Sequence, residues 1–317
     1  MNLTIRPLTE QDLPEARRIL SLAFGTVLGV SEPEKFRTAL DFIGMRCRAD
    51  HSAAFAAEVN GEVVGSTAAT CWGSVGLLGP LSIRPDLWDQ GIGQQLFGSS
   101  VEMLDRWSVT DASFFTFADS PKNVGFFQKF DFWPRFLTAI MSKPIQAQER
   151  REQWSEQMVR YSSLRPNEQA TSLQACRTLT DTIYPGLDVV GEIRFIDEQA
   201  HGDTVLLWRG TQLVGLAVCQ WKTGMNAESE KCYVRFGTVL SGVGAEERFD
   251  QLLTACESVA VAEGMSSISA GVDMERHEAY RFLLARGFRT TLQGVAIHRG
   301  NEPGFSRPGI YLIDDWR

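Results

Sequence analysis

Residues 88–97, WDQGIGQQLF, set two glycines one residue apart where an apolar strand pattern becomes a helical one. A helix N-terminus offers unpaired backbone N–H groups and the positive end of the helix dipole, and glycine lets an anion come close to the backbone. Gly91 and Gly93 therefore read as an anion site, or more plainly as a tight strand-to-helix turn. Two nucleotide alternatives fail on residue type. A dinucleotide fingerprint needs a third glycine where Leu96 stands, and here an antiparallel hairpin precedes the loop in place of the first strand of a βαβ unit. A Walker loop needs Gly-Lys-Ser/Thr, which is absent.

Other chemistries are poorly supplied. The six cysteines (47, 71, 176, 219, 232 and 256) are scattered without a CxxC pair, so buried reduced thiols and no metal are expected. Four dispersed histidines suggest neither a zinc site nor a Ser/His triad. A formal charge of -8 argues against a nonspecific nucleic-acid or anionic-membrane surface, which would require clustered Lys and Arg. No apolar run approaches the roughly 18–20 residues that span a bilayer, and the N-terminus lacks a signal-peptide layout, so a cytoplasmic protein is expected.

The elements that must position the loop are legible around it. Residues 3–24 read as a strand, a capped turn and a helix with Leu13, Ala16, Ile19, Leu20 and Ala23 on one face, and a helical stretch follows around Lys35–Arg48. Asn60-Gly61 between apolar runs predicts a hairpin. Residues 75–83 read as a further strand leading into the loop, 91–106 as an amphipathic helix, ASFFTFA as a strand, NVGFFQKFDF as a short helix and FLTAIMSKP as a last strand. The second half repeats this order: a hairpin around Arg209-Gly210, a strand CYVRFGTVL, a helix over Ala245–Ala262, then strand, helix and strand, with Gly215 matching Gly65 and Phe288 matching Phe132. A tandem duplication follows. The expected organisation is a first domain over 1–145, a charged, helix-capable connector over 146–167, and a second domain over 168–317.

This arrangement resembles the Gcn5-related N-acetyltransferases (GNAT), which transfer an acyl group from coenzyme A to an amine. Their acyl-CoA loop reads Gln or Arg, two residues, Gly, one residue, then Gly or Ala; here it stands as Trp88-Asp89-Gln90-Gly91-Ile92-Gly93, preceded by Pro85. With the opening IRPLTEQDLPEA and the late NVGFFQKFDF, the resemblance covers residues 1–143. It implies an α/β fold of α+β type: two tandem GNAT-like domains, each a mixed, mostly antiparallel twisted sheet flanked by helices.

Carried over residue by residue, the resemblance assigns main-chain groups of Leu81, Ser82 and Ile83 to the pantetheine arm of acetyl-CoA, and the amides of Trp88, Asp89, Gln90, Gly91, Ile92 and Gly93 to its phosphates. Ser120 and Asn123 are expected at the pantetheine or adenine end, or simply as helix-capping residues. Phe127 falls where relatives carry a tyrosine acid, and it has no proton to give. Trp88 replaces the usual Gln or Arg, and Asp86 and Asp89 add negative charge near the proposed diphosphate. Glu58 and Asp119 are the candidate bases for the acceptor amine. Trp72, Trp133 and Trp208 are read as lining the acceptor cleft or as plain core.

Matching the second half by its helix sets Glu247 at the place of Gly91 and Phe249 at that of Gly93, with Gly242 and Gly244 too early unless the register shifts, and this predicts a degenerate copy that has kept the fold and lost the cofactor. The function expected is acetyl transfer to a small-molecule or peptide amine; the alternatives are a catalytically silent acyl-CoA sensor or scaffold, and a fold kept for protein interaction alone. The acidic chain favours a cationic acceptor such as an aminoglycoside, a polyamine or a lysine. Two halves packed side by side would make the chain its own pseudo-dimer, so a monomer is expected and a dimer is left open.

Overall fold

The computed structural model describes residues 2–36, 41–118, 120–145, 157–221 and 230–314. The first half runs β1 (Leu3–Pro7), α1 (Leu13–Val27), α2 (Phe42–Arg48), β2 (Ser52–Val59), β3 (Glu62–Trp72), β4 (Val75–Leu78), β5 (Ser82–Ile83), α3 (Ile92–Arg106), β6 (Asp111–Thr116), α4 (Pro121–Gln128) and β7 (Phe132–Pro144). The second runs β8 (Gln157–Arg160), α5 (Pro166–Ile183), α6 (Val190–Glu198), β9 (Gly202–Arg209), β10 (Gln212–Gln220), β11 (Lys231–Val239), α7 (Ala245–Ala262), β12 (Ser267–Asp273), α8 (His277–Ala285), β13 (Arg289–Arg299) and β14 (Leu312–Asp314). Residues 157–160, expected in the helix-capable connector, are thus a strand, and most of the rest of that connector lies outside the described residues.

Local chemistry accounts for these elements. Leu13, Ala16, Ile19, Leu20 and Ala23 are all buried on the inner face of α1. Asn60 and Gly61 both have positive φ (52° and 88°), which the hairpin between β2 and β3 requires. The single strand predicted over 75–83 is two strands: the chain turns away after Leu78, and β5 pairs with β3 alone.

The strands form one sheet in the order β1-β2-β3-β4-β6-β13-β7-β12-β11-β10-β9-β8. Read inward from either end, each strand meets its counterpart from the other half. Gly65 and Gly215 sit at equivalent register shifts in β3 and β10, and the pairs β4–β6 and β11–β12 are the two parallel ones. At the centre the halves exchange strands. β7 pairs with β12 of the second half, β13 pairs with β6 of the first, and β7 and β13 pair with each other from Phe132↔Arg299 to Ser142↔Arg289. The last strand predicted for the first half therefore completes the second.

A buried polar cluster ties the halves behind the sheet. Glu192 of α6 is 1% exposed and accepts from His51 Nε2 (3.0 Å), Trp72 Nε1 (3.2 Å) and Arg46 Nη1 (3.4 Å), and also from Arg235. Trp72 is accordingly a fully buried core residue and does not line a cleft.

Candidate active site

The break after β4 opens a notch in the sheet. Up to Leu77 β4 runs beside β6, but β5 stays with β3 while β6 continues with β13, so β5 has no partner strand on its β6 side among the described residues. Below the notch lies the N-terminus of α3. Its N-cap is Gly91, left-handed at φ 78°, with no side-chain cap and no acidic residue in the first turn, which leaves the first amides of the helix to outside acceptors. A Cβ at Gly93 would meet only Ile83 and Phe126, at 3.8 and 3.9 Å, which is ordinary contact. The protein's own packing does not demand glycine there; the glycine leaves room beside the exposed amides.

The side chains around the loop hold it in shape. Trp88, half-buried, donates from its indole Nε1 to the carbonyl of Ile83 at 2.8 Å, spanning the loop from β5 to the helix start. Its amide also closes a short turn to the Pro85 carbonyl. The two aspartates that threatened a diphosphate are each paired: Asp86 with Arg84 Nε at 2.8 Å, Asp89 with Lys122 Nζ at 2.6 Å. These exposed pairs contribute little stability, but they cancel the local charge. Ile92 is buried in the core and offers only its backbone, while the Gln90 amide reaches the Asp86 carbonyl at 3.5 Å.

Notch and loop open into one cavity of about 520 Å³. Leu81, Ser82, Ile83, Trp88, Gly93, Ser120, Asn123 and Phe127 all line it. Ser120 is the N-cap of α4, its hydroxyl accepting from the Asn123 amide at 3.3 Å, so the capping role is realised at the cavity wall. Phe127 packs against Phe114 and Phe97, with ring centroids 4.5 and 5.1 Å apart. Glu58 is not in the lining; its carboxylate accepts from Arg6 Nε at 2.8 Å on β2. Asp119 lies outside the described residues. Trp133 and Trp208 are not in the lining either, Trp133 being bound to Asp131 instead.

The far wall of the cavity is apolar, from Leu20, Phe24 and Val27 of α1 and Leu28 just after it, with Phe36 and Phe42. The second half contributes Leu292 of β13 and Tyr233 of β11. Gly294 makes that approach workable, since a Cβ there would lie 2.3 Å from the Phe115 ring. Sequence reading missed this wall, because a strand from the other half is invisible to local pattern.

The matching place in the second half is built differently. Gly244, left-handed at φ 78°, caps α7 as Gly91 caps α3. The register that set Glu247 and Phe249 on the loop is therefore displaced by three residues: Phe249 is a fully buried core residue, and the counterpart of Gly93 is Glu246. Glu246 accepts from the Tyr311 hydroxyl at 2.9 Å; burial and this carboxylate push the Tyr311 pKa up to about 12. Above it β14 pairs with Phe236–Thr238 of β11 and fills the notch that stays open beside β5. Arg276 holds β14 in place through the Leu312 carbonyl (3.2 Å) and Asp314 (2.7 Å).

Residues 13–132 match the acetyltransferase (GNAT) family. Over nearly the whole chain the fold is similar to that of a Pyrococcus horikoshii protein classed with the acetyltransferases (13% identity, TM-score 0.67, 99% of this chain and 95% of that one). It is also similar to a GCN5-related N-acetyltransferase from Sphaerobacter thermophilus (15%, 0.62, 95% and 96%) and to a tandem GNAT protein from the clavulanic acid biosynthesis pathway (13%, 0.57, 94% and 98%). At such identities the likeness is one of fold. No curated protein matches the sequence.

Proposed function

We propose that this chain, whose residues 13–132 match the GNAT family and whose fold is similar to that of a tandem GNAT protein, is an acetyl-CoA-dependent N-acetyltransferase whose first half holds the cofactor. The observation that carries this is the contrast between the two notches: beside β5 it is open above an uncapped helix start, and beside β11 it is filled by β14. We assign the units to 1–145 and 168–317 with 146–167 between them, β8 reaching back into the connector to extend the second unit's side of the sheet.

Bound acetyl-CoA would supply an activated thioester. The free edge of β5, over Leu81, Ser82 and Ile83, would align the pantetheine arm, and the amides of Gly91, Ile92 and Gly93 would hold the pyrophosphate. Main-chain N–H groups at the β4–β5 break would polarise the thioester carbonyl. Trp88 shapes the loop through Ile83 in place of the usual Gln or Arg. No proton acceptor is assigned: Glu58 is committed to Arg6.

Isothermal titration of acetyl-CoA, followed by an assay of thiol release with amines, tests this. One-to-one binding and amine-dependent release are expected. Binding without turnover of any amine would instead favour the sensor or scaffold, to which Phe127 in place of the tyrosine acid points. Absence of binding would overturn both.

A further inference from the structure

Resting on that function, we propose that the acceptor is a primary amine carried on an apolar, aromatic-sized body, taken up as the neutral amine in the chamber between α1 and β6. The expected preference for a cationic acceptor came from the charge of the whole chain, which says nothing about the wall the acceptor would touch. Among the described residues that line the cavity there is no Asp, Glu or His. Among those described residues the one charged side chain is Lys122, and it stands at the glycine loop paired with Asp89.

The chamber side is built of rings and aliphatic chains. Phe24 meets Phe117 edge-on at 6.3 Å, and Phe117 meets Phe115 at 6.0 Å. Leu28 and Val27 stand at the end of α1, 42% and 46% exposed, as an apolar rim. Leu292, from the exchanged strand β13, closes the base. A polyamine or aminoglycoside would have to leave several ammonium groups unpaired against such a wall, and burying a charge without a partner is strongly unfavourable. A flat or branched apolar body loses nothing polar on entry and gains by removing its surface from water.

The same wall bears on the chemistry. Desolvation favours the uncharged form of an amine, so the acceptor nitrogen can present its lone pair with no carboxylate from the described lining residues taking up its proton. That nitrogen bonds to the thioester carbonyl carbon and the C–S bond breaks. The proton shed by nitrogen ends on the departing thiolate, through solvent, giving amide and CoA thiol. Neither Glu58 nor a hydroxyl at Phe127 is needed in this step.

The experiment combines acetyl-CoA titration with thiol release, using phenethylamine, tryptamine and octylamine against spermidine, kanamycin and a lysine peptide. Expected are a kcat/KM for the aromatic amines above that for spermidine and kanamycin by about tenfold or more, and a pH profile that follows the pKa of the free amine. Phe24→Ser, in the chamber wall, is expected to lower that preference about tenfold with acetyl-CoA affinity unchanged; Phe115→Asn repeats the test from β6. A preference for spermidine, kanamycin or the peptide would overturn the proposal. So would acetyl-CoA binding with neither turnover nor binding of any aromatic amine to the CoA-loaded protein, a result that leaves the cofactor assignment standing. Failure of acetyl-CoA itself to bind would overturn the functional reading and this one with it.

Discussion

The indole of Trp88 donates to the main-chain carbonyl of Ile83 at 2.8 Å, so the residue that stands where the resembled loop has Gln or Arg fastens this loop to β5. Trp88→Phe keeps the ring and deletes the donor. A lost hydrogen bond of this kind costs about 1 kcal/mol, so acetyl-CoA affinity should fall several-fold in a titration, with the far-ultraviolet spectrum unchanged. Unchanged affinity would mean that the loop holds its shape without the bond.

Gly93 allows a sharper split. Its Cβ would make only ordinary contacts and its backbone is helical, so Gly93→Ala should raise stability by up to about 1 kcal/mol through helix propensity. The added methyl stands on the ligand side of the loop. Thermal denaturation should therefore show a more stable protein while calorimetry shows weaker acetyl-CoA binding; a variant gaining stability with no loss of affinity would leave the glycine as a turn residue only.

Acetyl-CoA is expected to saturate at one molecule per chain. In the second half Glu246 occupies the place of Gly93 and β14 occupies the notch, anchored by the buried Arg276–Asp314 pair. Asp314→Ala leaves Arg276 buried without that carboxylate, which costs about 3–5 kcal/mol, readable in urea denaturation. A stoichiometry of two in the wild type would show that β14 yields to the ligand.

The Glu192 cluster sets the acid limit. Burial alone raises the Glu192 carboxyl, yet donation from His51, the charge of Arg46 and donation from Trp72 outweigh it and hold the group below its ordinary value. A carboxylate depressed in the folded state gives stability that is complete above the unfolded value, about 4.3, and is lost as pH falls through the folded one. Glu192→Gln should cost about 3–5 kcal/mol at neutral pH and flatten the stability profile below about pH 4. An unchanged acid limb would place the decisive carboxylate elsewhere.

What could be read beforehand follows from the range of the forces involved. Periodicity and turn chemistry are local, so α3, the Asn60–Gly61 hairpin and the tandem order of elements emerged from the residues themselves. The break between β4 and β5 falls at Gly79-Pro80, a turn signal that the apolar residues on either side mask when the run is read as one strand. The loop of the second half was misaligned by three residues, since equal length was preferred to the glycine Gly244 that caps its helix. Three residues of the run PGIYLIDDWR form β14, and nothing in so short a run announces which groove it will enter. The apolar acceptor wall was hidden for the same reason, with Leu292 and Phe115 separated by most of the second half in sequence.

The exchange of β7 and β13 also bears on how the molecule comes into being. On a ribosome the first half emerges with β6 lacking its neighbour, and that neighbour, β13, follows only after nearly all of the second half has been made. The loop over residues 88–93 can form early from local contacts, but the chamber beside it lacks part of its lining until Leu292 arrives. Long-range strand pairing of this kind folds slowly and leaves an edge exposed in the meantime. A truncated chain therefore ends with an unpaired strand and an unfinished site, and only completion of synthesis closes the sheet and the cavity together.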